Sequence, residues 1–316
     1  MAEVAGKTCV LVPLDGSPLA EQAIPYGAAL AGTDGEIVFF EVTAEAEPVR
    51  SLTGHVKTTA AEVDRTKHSA AETALRDAAS RWSAALPAEP RFEVAAGDPA
   101  EEILAAVDRF GCGLIVMASH GRGAVARLRF GSVADRVSRA SHVPVLIVRP
   151  SDANADVGPV EIRRLLVPLD GSPLAAEALP VATAIATHLK IPVHLLQAIN
   201  PSALVMPTPV GVDGYSGEIY TEIEDELKTA ARANLDDATK EAGTGGVPVT
   251  TAVVEGPPVL VIEDATQEGD LVVMTSHGRS GFRRWLLGST AEKLIREGKA
   301  PVLLVPASAR VEAVER

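Results

Sequence analysis

The chain is poor in aromatic residues, which make up 3% of its 316 positions. Its interior is therefore expected to be built from aliphatic side chains. Cysteine is scarcer still, at two residues, Cys9 and Cys112. Two cysteines imply no disulfide framework and give no metal-ligand spacing, so both read as small buried apolar residues, with redox sensing as the minor reading. No apolar run reaches the roughly 20 residues that a membrane span needs. The opening "MAEVAGKTCVLVPLDGS" lacks the charged leader, apolar core and cleavage site of a secretory signal. A cytoplasmic protein without membrane attachment is expected. Basic residues are outnumbered, 29 against 42 acidic, for a net charge of −13. A nucleic-acid backbone needs a clustered basic surface, so nucleic acid is not an expected partner.

What is present is repetition. "VLVPLDGSPLAEQAIP" at Val10–Pro25 returns as "LLVPLDGSPLAAEALP" at Leu165–Pro180. "VMASHGRGAVARLRFGSV" at Val116–Val133 returns as "VMTSHGRSGFRRWLLGST" at Val273–Thr290. "HVPVLIVRP" at His142–Pro150 returns as "KAPVLLVPA" at Lys299–Ala307. The chain thus reads as a first domain over 1–150, a linker over 151–161, a second domain over 162–307 and a tail over 308–316.

Each half alternates strand and helix signals. Unbroken runs such as "CVLVPL", "GLIVMAS" and "DLVVMTS" suit strands covered on both faces. First-half strands are expected near 8–14, 36–42, 91–96, 113–118 and 144–149, with helices over 18–31, 58–86, 99–110 and 132–141. Second-half strands are expected near 164–169, 192–198, 248–254, 270–275 and 301–305. Ser17 and Pro18 supply N-cap chemistry for the first helix. The fold class is α/β: two tandem flavodoxin-like or Rossmann-like, doubly wound, five-stranded parallel sheets with helices on both faces. Ligands of such sheets bind at the carboxyl ends of the strands, where the winding reverses.

The glycine-punctuated loop falls at that place. It runs from the end of the fourth strand, Met117-Ala118 or Met274-Thr275, to a helix start at Gly131-Ser132-Val133 or Gly288-Ser289-Thr290. A helix N-terminus attracts anions, and glycine lets a phosphate come close to the backbone. Asp15 and Asp170, at the end of the first strand, are placed to accept bonds from a ribose or to help hold phosphate-bound Mg²⁺. A plainer reading stands beside this one. Ser132-Val133-Ala134-Asp135 and Ser289-Thr290-Ala291-Glu292 also fit a capping box. On that reading Gly123 and Gly281 turn the chain, His120 and His277 are loop or supporting residues and not catalysts, and Arg127, Arg129, Arg283 and Arg284 are solvated. No Gly-Lys-Ser/Thr follows, so neither loop is a P-loop.

At these residues the chain resembles the universal stress proteins, in their tandem two-domain form and ATP-binding subtype. The likeness rests on "VPLDGS", "SHGR", the closing "GS" and the last-strand "PVLIV" or "PVLLV". Members that bind ATP carry G-x2-G-x9-G-[ST]. Gly121 and Gly278 match the second glycine, and Gly131-Ser132 and Gly288-Ser289 close the motif. Ala118 and Thr275 stand at the first glycine, a strand end that needs no positive φ. The resemblance implies that Val42 and Ala198, ending the second strand, line an adenine pocket. Nucleotide contacts are then expected from Pro13, Asp15 and Val42, from Met117, Ala118, Gly121 and Arg122, and from Gly131, Ser132 and Val133. Their counterparts are Pro168, Asp170 and Ala198, then Met274, Thr275, Gly278 and Arg279, then Gly288, Ser289 and Thr290. No metal ligands or catalytic residues are assigned.

The resemblance implies ATP with Mg²⁺ as cofactor, a homodimer, a protein partner and a regulatory role in the stress response. It also implies that the last strands, near 144–149 and 301–305, pair with each other as sheet edges. A slow ATP hydrolase or a phosphoryl or adenylyl transferase is the alternative. A nucleotide-free interaction protein is the second.

Overall fold

The computed structural model describes residues 8–50, 56–120, 130–150, 158–203, 215–276 and 287–307. The chain divides into two compact units, with the boundary between Glu161 and Ile162.

The first unit opens with β1 (Cys9–Leu14), α1 (Pro18–Glu21), α2 (Ile24–Ala31) and β2 (Glu36–Thr43). A short antiparallel pair follows, β3 (Val49–Arg50) and β4 (Val56–Thr58). Then come α3 (Ala60–Arg81), β5 (Arg91–Ala96), α4 (Pro99–Phe110), β6 (Leu114–Ala118), α5 (Ser132–Ala140) and β7 (Val145–Val148). Its parallel strands lie in the order β7-β6-β1-β2-β5. The second unit repeats the plan with β8 (Arg164–Leu169), α6 (Pro173–Ala176), α7 (Leu179–Leu189), β9 (Val193–Ile199), α8 (Tyr215–Ala242), β10 (Val249–Glu255), α9 (Pro258–Ala265), β11 (Asp270–Thr275), α10 (Ser289–Glu297) and β12 (Val302–Val305). Its order is β10-β9-β8-β11-β12, again parallel. Counted along the chain, each sheet runs 3-2-1-4-5, the Rossmann member of the doubly wound orders. The winding reverses between β1 and β6, and between β8 and β11.

The central strands are buried on both faces, as their unbroken aliphatic runs require. Val10, Leu11 and Val12 in β1 and Leu165, Leu166 and Val167 in β8 are fully buried. The expectation of a wholly aliphatic interior fails in the first unit. Phe39 and Phe40 of β2 are its largest buried side chains. They meet Phe92 and Phe110 edge-on at 6.2 and 6.1 Å between ring centres. Few aromatics suffice because they are gathered in one place.

The helix expected over 18–31 is two helices. Pro25 has no N–H to give to the preceding turn, so the chain re-starts at Ile24. Pro180 acts alike in the second unit. Ser17 caps α1, its Oγ accepting from the Ala20 N–H at 3.2 Å.

The reading of Cys9 and Cys112 as separate apolar residues is corrected. Both are buried, but they are joined in a disulfide with Cα atoms 4.4 Å apart. They lie 103 residues apart in sequence, and only the pairing of β1 with β6 brings them together. Among the described residues, no helix is long and apolar enough to cross a membrane.

Candidate functional site

The parallel register lines up one row of residues at the carboxyl ends of the strands. Cys9 faces Glu36, and that offset carried along the strands sets Asp15 beside Val42. Leu11 faces Ile115, which sets Asp15 level with Ser119 on its other side. In the second unit the same steps set Asp170 between Ala198 and Ser276. Pro13 and Met117 sit just beneath this row as buried strand residues, and Pro168 and Met274 hold the same positions half-buried. Val42 and Ala198 come one residue before the ends of their strands, at Thr43 and Ile199.

The Asp-Gly-Ser turn after the first strand is built identically twice. Asp15 Oδ1 accepts from the Ser17 N–H at 3.0 Å and from Ser17 Oγ at 2.6 Å. Asp170 Oδ1 accepts from Ser172 at 2.9 and 2.6 Å. The glycine between them is left-handed, φ 72° at Gly16 and 78° at Gly171, which favours glycine strongly. The aspartates therefore shape the mouth of the site first, with one oxygen already committed.

The loop is pinned at its two ends. The Ser119 N–H donates to Val148 O at 2.7 Å, and Ser119 O accepts from the Gly131 N–H at 2.9 Å. In the second unit, Ser276 N–H donates to Val305 O at 3.1 Å and Ser276 O accepts from Gly288 N–H at 2.8 Å. Strand end and helix start thus meet at one carbonyl. A Cβ on Gly131 would lie 2.8 Å from that Ser119 oxygen. Gly131 is required by this close approach and not by its dihedrals, which are φ −64° and ψ 141°. Gly288 matches them at −60° and 142°.

The capping-box reading is corrected here. The N-cap residues are Gly131 and Gly288, which have no side chain to cap with, and Ser132 and Ser289 are the first helical residues. Both serines are exposed, with Val133 and Thr290 half-buried behind them. Ala118 and Thr275 end extended strands, and neither has positive φ. Both are buried. Gly121, Arg122, Gly278 and Arg279, with Gly123, Gly281, His277, Arg127, Arg129, Arg283 and Arg284, lie outside the described residues.

One participant escaped the sequence reading, and a second, His120, was read only as a loop residue. Ser119 is fully buried, and its carbonyl holds the loop closed. Its signal was the "SHG" shared by both halves. His120 follows it, with Nδ1 3.0 Å from Ser119 Oγ. Its Nε2 is buried and has no hydrogen-bond partner among the described residues. Burial, helped by the positive charge of Arg149, lowers the His120 pKa below 6.5. The fold therefore holds the neutral imidazole, while the unfolded chain takes up a proton near pH 6.5. Stability present above that pH is lost as the pH falls through it. The urea midpoint is expected to drop between pH 7.5 and 5.5, and by less in His120→Gln. Equal drops in both proteins would remove His120 as a cause. Among the described residues, no cluster of three or more His, Cys, Asp or Glu is placed to hold a metal ion.

Comparison with known proteins agrees with this architecture. The model of the universal stress protein family matches residues 8–149 and again 161–306. The chain belongs to the universal stress protein family, in tandem form. A universal stress protein of Methanocaldococcus jannaschii is 32% identical over 145 residues, 45% of this chain and 81% of that protein. One from Mycobacterium tuberculosis is 28% identical over 192 residues, 60% of this chain and 61% of its own length. The match therefore spans somewhat over half of that relative. Among solved structures, a universal stress protein from Archaeoglobus fulgidus superposes with TM-score 0.61 at 23% identity, over 96% of this chain and 99% of the other. A putative universal stress protein from Pseudomonas aeruginosa gives 0.60 at 18%, over 98% of each. At such identities these two speak for the fold.

Proposed function

We propose that each unit binds one ATP at the carboxyl edge of its sheet, and that occupancy sets a conformation read by a protein partner in a cytoplasmic stress response. The observation that carries the reading is the doubled loop closure. In both units a side-chain-free N-cap glycine is clipped against a strand-end carbonyl, so a helix start opens beside the Asp-Gly-Ser turn. The first-turn N–H groups and the helix dipole suit phosphate. The chemistry of the donors fits the triphosphate, and Asp15 or Asp170 lies one strand away, suited to a ribose hydroxyl. Val42 and Ala198, next along the row, suit the base. Mg²⁺ would arrive with the phosphates and neutralise part of their charge.

A binding role is favoured over turnover because the one carboxylate in each row already spends an oxygen on holding its serine. Hydrolysis of ATP with Mg²⁺ is expected far below the roughly 1–1000 per second of ordinary enzymes. Assembly as a homodimer belongs to the same reading.

The test is equilibrium dialysis with labelled ATP, alongside the nucleotide content of freshly purified protein. Two ATP per chain are expected. The first site should be tighter by up to about tenfold, since Ala198 lacks two carbons of the Val42 wall, each worth about 0.8 kcal/mol. No binding at millimolar ATP would defeat the proposal, leaving the nucleotide-free interaction protein. Steady phosphate release near one per second, lost in Asp15→Ala with Asp170→Ala, would favour the enzyme.

A further inference from the structure

The two units brace the same place by different chemistry. In the first, Cys9 opens β1 and is joined to Cys112, two residues before β6. The repeat puts Arg164 where the first unit has Cys9, and Gly269-Asp270 where it has Cys112-Gly113. There Arg164 Nε donates to Asp270 Oδ1 at 2.9 Å and Nη2 to Oδ2 at 2.5 Å. Each brace ties the first residue of the first strand to the beginning of the fourth, through the turn just before it at Cys112 in one unit and through its first residue, Asp270, in the other. Cys112 N–H donates to Val107 O at 2.9 Å, and Gly113 N–H to Cys9 O at 3.0 Å. Arg164 Nη2 reaches Ala265 O at 2.9 Å, and Gln267 N–H reaches Asp270 Oδ2 at 2.8 Å. The position is duplicated and the chemistry is not. A disulfide answers to thiols, and an ion pair does not.

We propose that the Cys9–Cys112 bond makes the first unit alone responsive to redox state. Oxidised, it locks β1 to β6, the two strands whose far ends carry Asp15 and Ser119. Reduced, it frees them, while Arg164–Asp270 keeps β8 and β11 together. The reductant is a dithiol. One of its thiolates attacks a cystine sulfur and forms a mixed disulfide, releasing the other cysteine as thiolate. Its second thiolate then closes the dithiol's own disulfide and releases the second cysteine. Two electrons and two protons pass to Cys9 and Cys112, and the dithiol is oxidised. A cross-link between residues 103 apart restricts the unfolded chain over a long loop, so its loss is felt widely. Cys9 and Cys112 are both buried, so a dithiol reaches the bond through local opening of the turn around Cys112. A Cβ on Gly111 or Gly113, on either side of it, would meet nothing within 4 Å. In a compartment that keeps thiols reduced, the lock closes only under oxidation. This claim concerns the fold and does not depend on nucleotide binding.

Hydrogen exchange on the full chain, with and without dithiothreitol at pH 7.5, tests it. Reductant is expected to speed exchange at least tenfold in residues 9–14 and 114–118 and to leave 164–169 and 270–275 unchanged. A Cys9→Ala, Cys112→Ala double variant should exchange like the reduced protein and ignore reductant. If that variant does not fold, the wild-type comparison decides alone. Two free thiols in protein purified without reductant and exposed to air would overturn the proposal. So would equal loosening of both units, or no change in either.

Discussion

Arg164→Ala is expected to destabilise the second unit by about 3–5 kcal/mol, the usual cost of stranding one partner of a buried ion pair. The Asp270 side chain is 1% exposed and that of Arg164 18%. Arg164 meets both carboxylate oxygens, and its guanidinium also reaches the Ala265 carbonyl. Without it, Asp270 keeps only the Gln267 N–H among the bonds described above. The buried carboxylate is then left without its counter-charge. At roughly 2–4 °C per kcal/mol for a domain of this size, the transition of that unit should fall by about 6–20 °C. Calorimetry shows the drop, and hydrogen exchange assigns it to β8 and β11. Arg164→Met with Asp270→Leu removes both charges and fills the space, so it should recover most of the loss. If Arg164→Ala melts within about 2 °C of the parent, the pair contributes no more than a surface bridge does.

That ion pair also marks where reading the sequence stops. The inner parallel strands were legible as short aliphatic runs, while β5 and β10, RFEVAA and VTTAVVE, are half-buried and interrupted by polar residues, and "DLVVMT" ends at Thr275 as read. The place of the candidate site was legible because both halves repeat "LDGS" and the Gly-Ser helix start, and the register then puts those segments side by side. Arg164–Asp270 and Cys9–Cys112 were not legible. Their partners are 106 and 103 residues apart, and only strand pairing reveals them. The helix starts at Gly131-Ser132 and Gly288-Ser289 were legible, and the alternative reading of the serines as caps arose because Ser-x-x-Asp/Glu looks the same one residue along. The glycine before each serine decided the frame. Gly131 was identified as special for the approach of a phosphate, and the structure adds a constraint of its own. Its backbone angles suit any residue, and the constraint is the Ser119 carbonyl 2.8 Å from where a Cβ would be. The β3–β4 pair leaves no period in so few residues.

Because any side chain at Gly131 presses on that carbonyl, charge reversal there would disturb folding and binding together. Ser132→Glu and Ser289→Glu separate the two. Both serines are exposed first-turn residues. A carboxylate in the first turn interacts favourably with the helix dipole, by about 0.3–1 kcal/mol, so stability should hold or rise. The same carboxylate sits where the proposed phosphates approach. Two unit charges about 4 Å apart near a protein surface repel by about 4 kcal/mol. Even a third of that weakens binding about tenfold. Each single variant should therefore lose one of two ATP in equilibrium dialysis at sub-saturating nucleotide, and the double variant should lose both. Melting temperatures should stay at or above the parent value. Two ATP retained at unchanged affinity in the stable double variant would mean that the helix starts are not the phosphate sites. Loss of one ATP through Ser132→Glu, with no effect of Ser289→Glu, would place the ligand in the first unit alone, and the second would then share the fold without the binding.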